Sequence, residues 1–75
     1  MDNRTIEIAA KAMKTTIEEA SKHNKPIPEI NAFYFWNPMR GGISVIVSEN
    51  GEKLAASSAV SFQKHLDAFI AGKRN

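Results

Sequence analysis

The sequence predicts a small α+β domain of order α-β-β-β-α, with two helices packed on one face of a three-stranded antiparallel meander. Three observations predict this fold. Apolar residues recur at helical spacing near both ends of the chain, the middle is rich in β-branched and aromatic residues, and Asn50-Gly51 marks a tight hairpin. Since 75 residues is room for one domain, we take 1–75 as a single domain whose ends, 1–2 and 73–75, are frayed.

The first helix is predicted over residues 3–23. Its apolar positions repeat at alternating intervals of four and three residues, which is one stripe of an α-helix: Ile6, Ala10, Met13, Ile17 and Ala20. Pro26 then stops the helix, because the residue before a proline disfavours the helical region. Residues 25–30 hold two prolines, which lack amide donors, so we predict a stiff extended connector here and not an interior strand.

Three strands are predicted in the middle of the chain, over 31–37, 43–48 and 53–57. The last two are joined at Asn50-Gly51, a pair that favours a type I′ hairpin turn. A second helix is predicted over 61–71, because Ser61 is a good N-cap, apolar residues follow at helical spacing, and a glycine comes next at position 72.

Alternation along the strands divides the sheet into two faces. The first face, predicted to meet both helices and form the core, carries Phe33, Phe35, Ile43, Val45 and Val47. The second face carries Tyr34, Trp36, Ser44, Ile46 and Ser48. With both helices on the first face, the second meets water, and two large aromatic residues beside an isoleucine form the kind of exposed patch that marks an interaction site.

Four interpretations of the second face remain open from the sequence. Two copies of the chain can pack these faces together, a different protein can bind there, or the first helix or the prolyl connector can fold across it. Unpaired nucleic-acid bases can also stack on Tyr34 and Trp36, with Arg40 nearby. We expect a small non-enzymatic protein-interaction module that forms a homodimer, with a weak single-stranded nucleic-acid binder as the alternative. The predicted contact residues are Tyr34, Trp36, Arg40, Ser44, Ile46 and Ser48.

Motifs for catalysis, metals or cofactors are not recognisable in the sequence, so we predict no catalytic residue, no metal and no cofactor. The chain has no cysteine, and His23 and His65 lack the spacing of a zinc motif. Arg40-Gly41-Gly42 lacks the lysine and the following helix of a phosphate-binding loop. Three hydroxyl residues before the second helix lack the glycines of a nucleophile elbow: Ser57, Ser58 and Ser61.

Charge and hydropathy bear on partners and location. Ten Lys and Arg against eight Asp and Glu leave a net charge of +2, which is a weak argument for nucleic acid. The longest apolar run, 32–36, is far too short to span a membrane, and the N-terminus opens on a charged helical pattern without the apolar segment of a signal peptide. From the sequence we therefore expect a cytoplasmic protein with no membrane partner.

Overall fold

The fold consists of two helices, a four-stranded antiparallel meander and a C-terminal helix. The computed structural model describes residues 3–37, 42–57 and 59–74. In chain order the elements are α1 (Asn3–Met13), α2 (Ile17–Lys22), β1 (Asn24–Ile27), a 3₁₀ turn (Pro28–Ile30), β2 (Ala32–Trp36), β3 (Ile43–Ser48), β4 (Lys53–Ser57) and α3 (Phe62–Ile70). The α+β class, the three predicted strands and the meander are confirmed, and the sheet has one strand more than predicted.

The predicted first helix is broken in two at Lys14. This residue takes a left-handed conformation with φ of 55°. The Lys14 amide donates to the carbonyl of Lys11 and the next amide donates to the carbonyl of Ala10, at 3.2 Å and 3.0 Å, which is the Schellman pattern of a helix end. Thr16 then caps α2, because its hydroxyl oxygen accepts from the amide of Glu19 at 3.1 Å.

The prolyl connector contributes an edge strand. β1 pairs antiparallel with β2, with Lys25 opposite Tyr34 and Pro26 opposite Phe33. The amide of Trp36 donates to the carbonyl of His23 at 3.1 Å, and alternation from that pair turns the backbone of Pro26 away from β2. A proline is tolerated at that position because no ladder hydrogen bond is lost. The prediction of no interior strand holds, but the segment belongs to the sheet.

The hairpin between β3 and β4 is confirmed, with a different turn. The amide of Ser48 donates to the carbonyl of Glu52 at 2.8 Å, which leaves a three-residue loop. Gly51 has a φ of +92°, whereas Asn50 keeps a negative φ, so the turn is not type I′. The geometry is that of a type I turn followed by a glycine bulge, the usual form of a three-residue hairpin loop.

The first face of the sheet forms the main core with α1, as predicted. Phe35, Val45 and Val47 are fully buried there against Ala9 and Met13 of the helix. Burying a side chain such as Phe35 stabilises the fold by roughly 1.5–3 kcal/mol. Ala9 and Ala10 are buried on the contacting side of α1, and such small side chains let the helix lie close to the sheet.

The C-terminal helix covers the second face of the sheet, and the prediction that both helices share one face is wrong. Phe69 of α3 packs with Ile46, Ala32 and Ile27 in a second buried cluster. Partly buried apolar residues surround this cluster: Ile30, Tyr34, Leu54, Phe62 and Leu66. The sheet is therefore the middle of three layers, with α1 on one side and α3 on the other.

Candidate functional site

The residues predicted as a contact surface separate into buried and half-exposed groups. Ser44 and Ile46 are 1% and 0% exposed, because α3 lies over them. Ser48 is also buried and bonds to Asn50 in the β3–β4 turn. Tyr34 and Trp36 remain half-buried at the margin of the covered area. Arg40 lies outside the described residues.

An aromatic rim lies along β1, β2 and the start of α3, on the side of the second face. We define the aromatic rim as His23, Lys25, Tyr34, Trp36 and Phe62. The antiparallel register produces it, since it places His23 beside Trp36 and Lys25 opposite Tyr34. Phe62 joins them as the first residue of α3, directly after the Ser61 cap, whose hydroxyl oxygen accepts from the amide of Lys64 at 3.3 Å.

The rings of the aromatic rim are in mutual contact. Trp36 and Tyr34 stack with centroids 5.8 Å apart and an interplanar angle of 30°. Phe62 meets Tyr34 edge-on at 4.8 Å, and the His23 ring lies 6.1 Å from that of Trp36. The ammonium group of Lys25 lies 3.9 Å above the centroid of Phe62, a cation–π contact. The rim is therefore a pre-organised aromatic surface.

Charges of opposite sign stand at the two ends of the aromatic rim. A carboxylate oxygen of Glu19 lies 3.7 Å from the ring of His23, and the Glu19 side chain is 48% exposed. Lys25 supplies the positive charge at the other end, over Phe62. The neighbouring pair on α2, Glu18 and Lys22, are 3.5 Å apart and cancel each other's charge.

A buried histidine, His65, anchors α3 below the aromatic rim. His65 is 1% exposed, and its Nδ1 lies 3.3 Å from the hydroxyl of Ser44. Its Nε2 lies 2.7 Å from the carbonyl oxygen of Leu54. The signal for this burial was present, because His65 lies three residues after Phe62 and four before Phe69 on the same helical stripe. Both nitrogens are engaged and both residues are buried, so the Ser44–His65 pair joins α3 to the sheet as a polar anchor.

Two other features of the described residues carry no comparable site. An open groove of about 570 Å³ lies at the junction of α1 and α2, and its lining includes Ile8, Ile17 and the lysines at 11 and 14. Nothing in the structure indicates what would fill it. Within the described ranges, no cluster of three or more His, Cys, Asp or Glu side chains is placed to hold a metal. None of the helices described there is long and apolar enough to cross a membrane.

Comparisons with known proteins find no family model, no curated protein and no solved structure that matches this chain.

Proposed function

We propose that this chain is a small non-enzymatic protein-interaction module that self-associates through the aromatic rim. The observation that carries the proposal is the position of Trp36 and Tyr34, which stack on each other at the half-exposed margin of a face that α3 otherwise covers. Tyrosine and tryptophan are enriched in protein interfaces because each has an apolar body and a polar tip. Their mutual contact also fixes their orientation, which lowers the entropy lost when a partner binds.

The same geometry favours a protein partner over a nucleic acid. A base-stacking platform needs an open aromatic face, but Tyr34 is flanked by the rings of Trp36 and Phe62 and approached edge-on by His65. A nucleic-acid backbone also needs a continuous positive track, whereas the rim ends on Glu19 at one side. Charges of both signs around an aromatic centre are typical of a protein interface, where the rim is polar.

The interface is expected to be weak. The chain exposes 4738 Å², close to the roughly 4,600 Å² that a folded monomer of this mass exposes, so the monomer is compact without a partner. Five rim side chains also supply less area than the roughly 800 Å² per partner of a stable interface. We therefore expect a dissociation constant of about 100 μM or higher.

Sedimentation equilibrium at about 20 μM and about 1 mM tests self-association, because a weak dimer populates measurably only at the higher concentration. The mass average should rise at the higher concentration, and Trp36→Ala should remove the rise. Ile70→Ala is the matched control, since Ile70 is a 60% exposed apolar residue on α3 outside the rim. A monomer mass at both concentrations would contradict the proposal. An equal loss in both variants would place the contact elsewhere.

A fluorescence titration separates the nucleic-acid alternative. Trp36 is the chain's only tryptophan, so its emission reports on the rim alone. Added single-stranded oligonucleotide at low salt, where phosphate contacts are strongest, should leave the emission unchanged. Saturable quenching that weakens with salt would favour nucleic-acid binding over protein binding at the rim.

A further inference from the structure

We infer that the partner is a second copy of the chain, packed about a two-fold axis that reverses the aromatic rim, so that Glu19 of each copy faces Lys25 of the other. This inference rests on the proposed function and adds the arrangement of the two copies. It is carried by the order of the side chains along the rim and by the opposite charges at its two ends.

The contacts run in one continuous line from a carboxylate to an ammonium group. Glu19 contacts His23, and His23 lies against Trp36. Trp36 stacks on Tyr34, which meets Phe62. Phe62 lies beneath the Lys25 ammonium group. The rings thus occupy the centre of this line of contacts, and Glu19 and Lys25 stand at its ends.

Symmetry limits how such a line can meet its own copy. In a two-fold interface the same patch is used on both sides, and residue i of one copy contacts residue j of the other in both directions. An axis that lies in the contact plane and crosses the line at a right angle reverses the line, so the aromatic centres meet and each Glu19 faces a Lys25. An axis lying along the line keeps its direction and brings Glu19 against Glu19 and Lys25 against Lys25. Like charges in contact oppose association, so the reversed arrangement is selected.

Both charges are accessible for this pairing. Glu19 is half-exposed and its intramolecular neighbour is a histidine at 3.7 Å, while Lys25 is exposed on an edge strand. The next charges along α2, Glu18 and Lys22, lie 3.5 Å apart and offset each other, so Glu19 is the unbalanced charge of α2 among the described residues at that end. Because exposed pairs contribute little individually, the charges select the orientation and the aromatic centre supplies the affinity.

A charge-reversal experiment tests the arrangement directly. The variants are Glu19→Lys and Lys25→Glu, each measured alone and as an equimolar mixture by sedimentation at low and at high salt. Each variant alone should self-associate roughly tenfold more weakly than the unsubstituted chain at low salt, because two attractive pairs become two repulsive ones. In the mixture, both contacts again join a lysine to a glutamate, so association should return to the original strength.

Control variants separate this pairing from a general effect of net charge. Glu29→Lys and Lys64→Glu make the same charge changes at exposed positions outside the rim. These variants should associate like the unsubstituted chain, both alone and mixed, and circular dichroism should show that all four variants are folded.

The outcomes distinguish the arrangement from the proposed function. The arrangement is supported if mixing the two rim variants restores association, and if salt reduces this effect. Mixing the two control variants should not change their association. A dimer that needs Trp36 but shows no recovery in the mixture overturns the arrangement and leaves the proposed function standing. A chain that stays monomeric at every concentration overturns both.

Discussion

The Nε2 atom of His65 lies 2.7 Å from the carbonyl oxygen of Leu54, and this contact joins α3 to β4. A carbonyl oxygen only accepts, so Nε2 carries the proton. The Nδ1 atom is then the acceptor for the Ser44 hydroxyl, 3.3 Å away on β3. One imidazole therefore connects the helix to two strands, and it satisfies buried polar groups that would otherwise be costly.

Replacing this imidazole should destabilise the protein, because a buried polar group then loses its hydrogen-bond partner. His65→Leu removes the acceptor for the hydroxyl of Ser44, a residue that is only 1% exposed. We expect the free energy of unfolding to fall by about 1–2 kcal/mol, measured by urea denaturation with unchanged slope.

A second substitution separates this cost from a change in packing. Adding Ser44→Ala to His65→Leu removes both polar partners, so part of the lost stability should return. Ser44→Ala alone should cost less than His65→Leu alone, since the imidazole keeps its bond to Leu54. Additive losses in the double variant would show that the two side chains are not coupled.

The sequence predicted which residues share each sheet face, but not that α3 covers the second face. Side chains alternate between the two faces along each strand, which places Phe35 and Val45 on the same face. The apolar stripe of α1 packs against that face. Alternation does not state which helix covers which face. The polar residues Ser44 and His65 concealed the second interface, because each is ordinary at an exposed position. Their burial becomes favourable only when the imidazole bonds to the Ser44 hydroxyl and to the carbonyl of Leu54.

Replacing Lys14 with glycine should stabilise the protein. Its φ of 55° places a lysine at the left-handed position that ends α1, where a Cβ atom crowds the backbone. We expect Lys14→Gly to raise the free energy of unfolding by about 0.5–1 kcal/mol, measured by thermal or urea denaturation. Lys14→Ala is the control, because it removes the long side chain but keeps the Cβ atom, and it should bring no such gain. Equal gains from both would trace the effect to the charge.

Thr16 should contribute to the start of α2. Its hydroxyl accepts from the amide of Glu19 at 3.1 Å, so Thr16→Ala leaves a helix-terminal donor without that partner. We expect a loss of about 1 kcal/mol in unfolding free energy. Thr15→Ala, one residue earlier and not the cap, should cost less. Equal losses would contradict a specific capping role for Thr16.

The break between α1 and α2 is a feature that the apolar periodicity of the sequence does not predict. The apolar stripe continues through Ile17 and Ala20 as if the helix were unbroken, and no glycine or proline interrupts it. The signal lies in Thr16-Ile-Glu-Glu19, which has the S/T-x-x-E spacing of a helix start.

At the candidate site, Tyr34 and Trp36 were predicted from the alternation of side chains along β2. His23, Lys25 and Phe62 were missed because they join them only through β1 pairing and the position of α3.

Arg74 should stabilise the C-terminal helix although it lies next to the end of the chain. The Arg74 guanidinium carbon lies 3.7 Å from the centroid of Phe69. Its Nη1 atom donates to the carbonyl of Phe69 at 2.7 Å, and Nη2 lies 3.3 Å from a carboxylate oxygen of Glu52. We expect Arg74→Ala to lower the free energy of unfolding by about 1 kcal/mol, measured by urea denaturation.

The physical origin of this effect can be resolved by salt and by two further variants. Arg74→Lys keeps the charge but loses the planar group that stacks on Phe69 and donates in two directions, so it should recover only part of the loss. Lys73→Ala removes a neighbouring exposed charge and should be nearly neutral. Because salt screens the exposed pair with Glu52 but not the ring contact, most of the Arg74→Ala effect should persist at high salt. Full loss of the effect in salt would assign it to the ion pair alone.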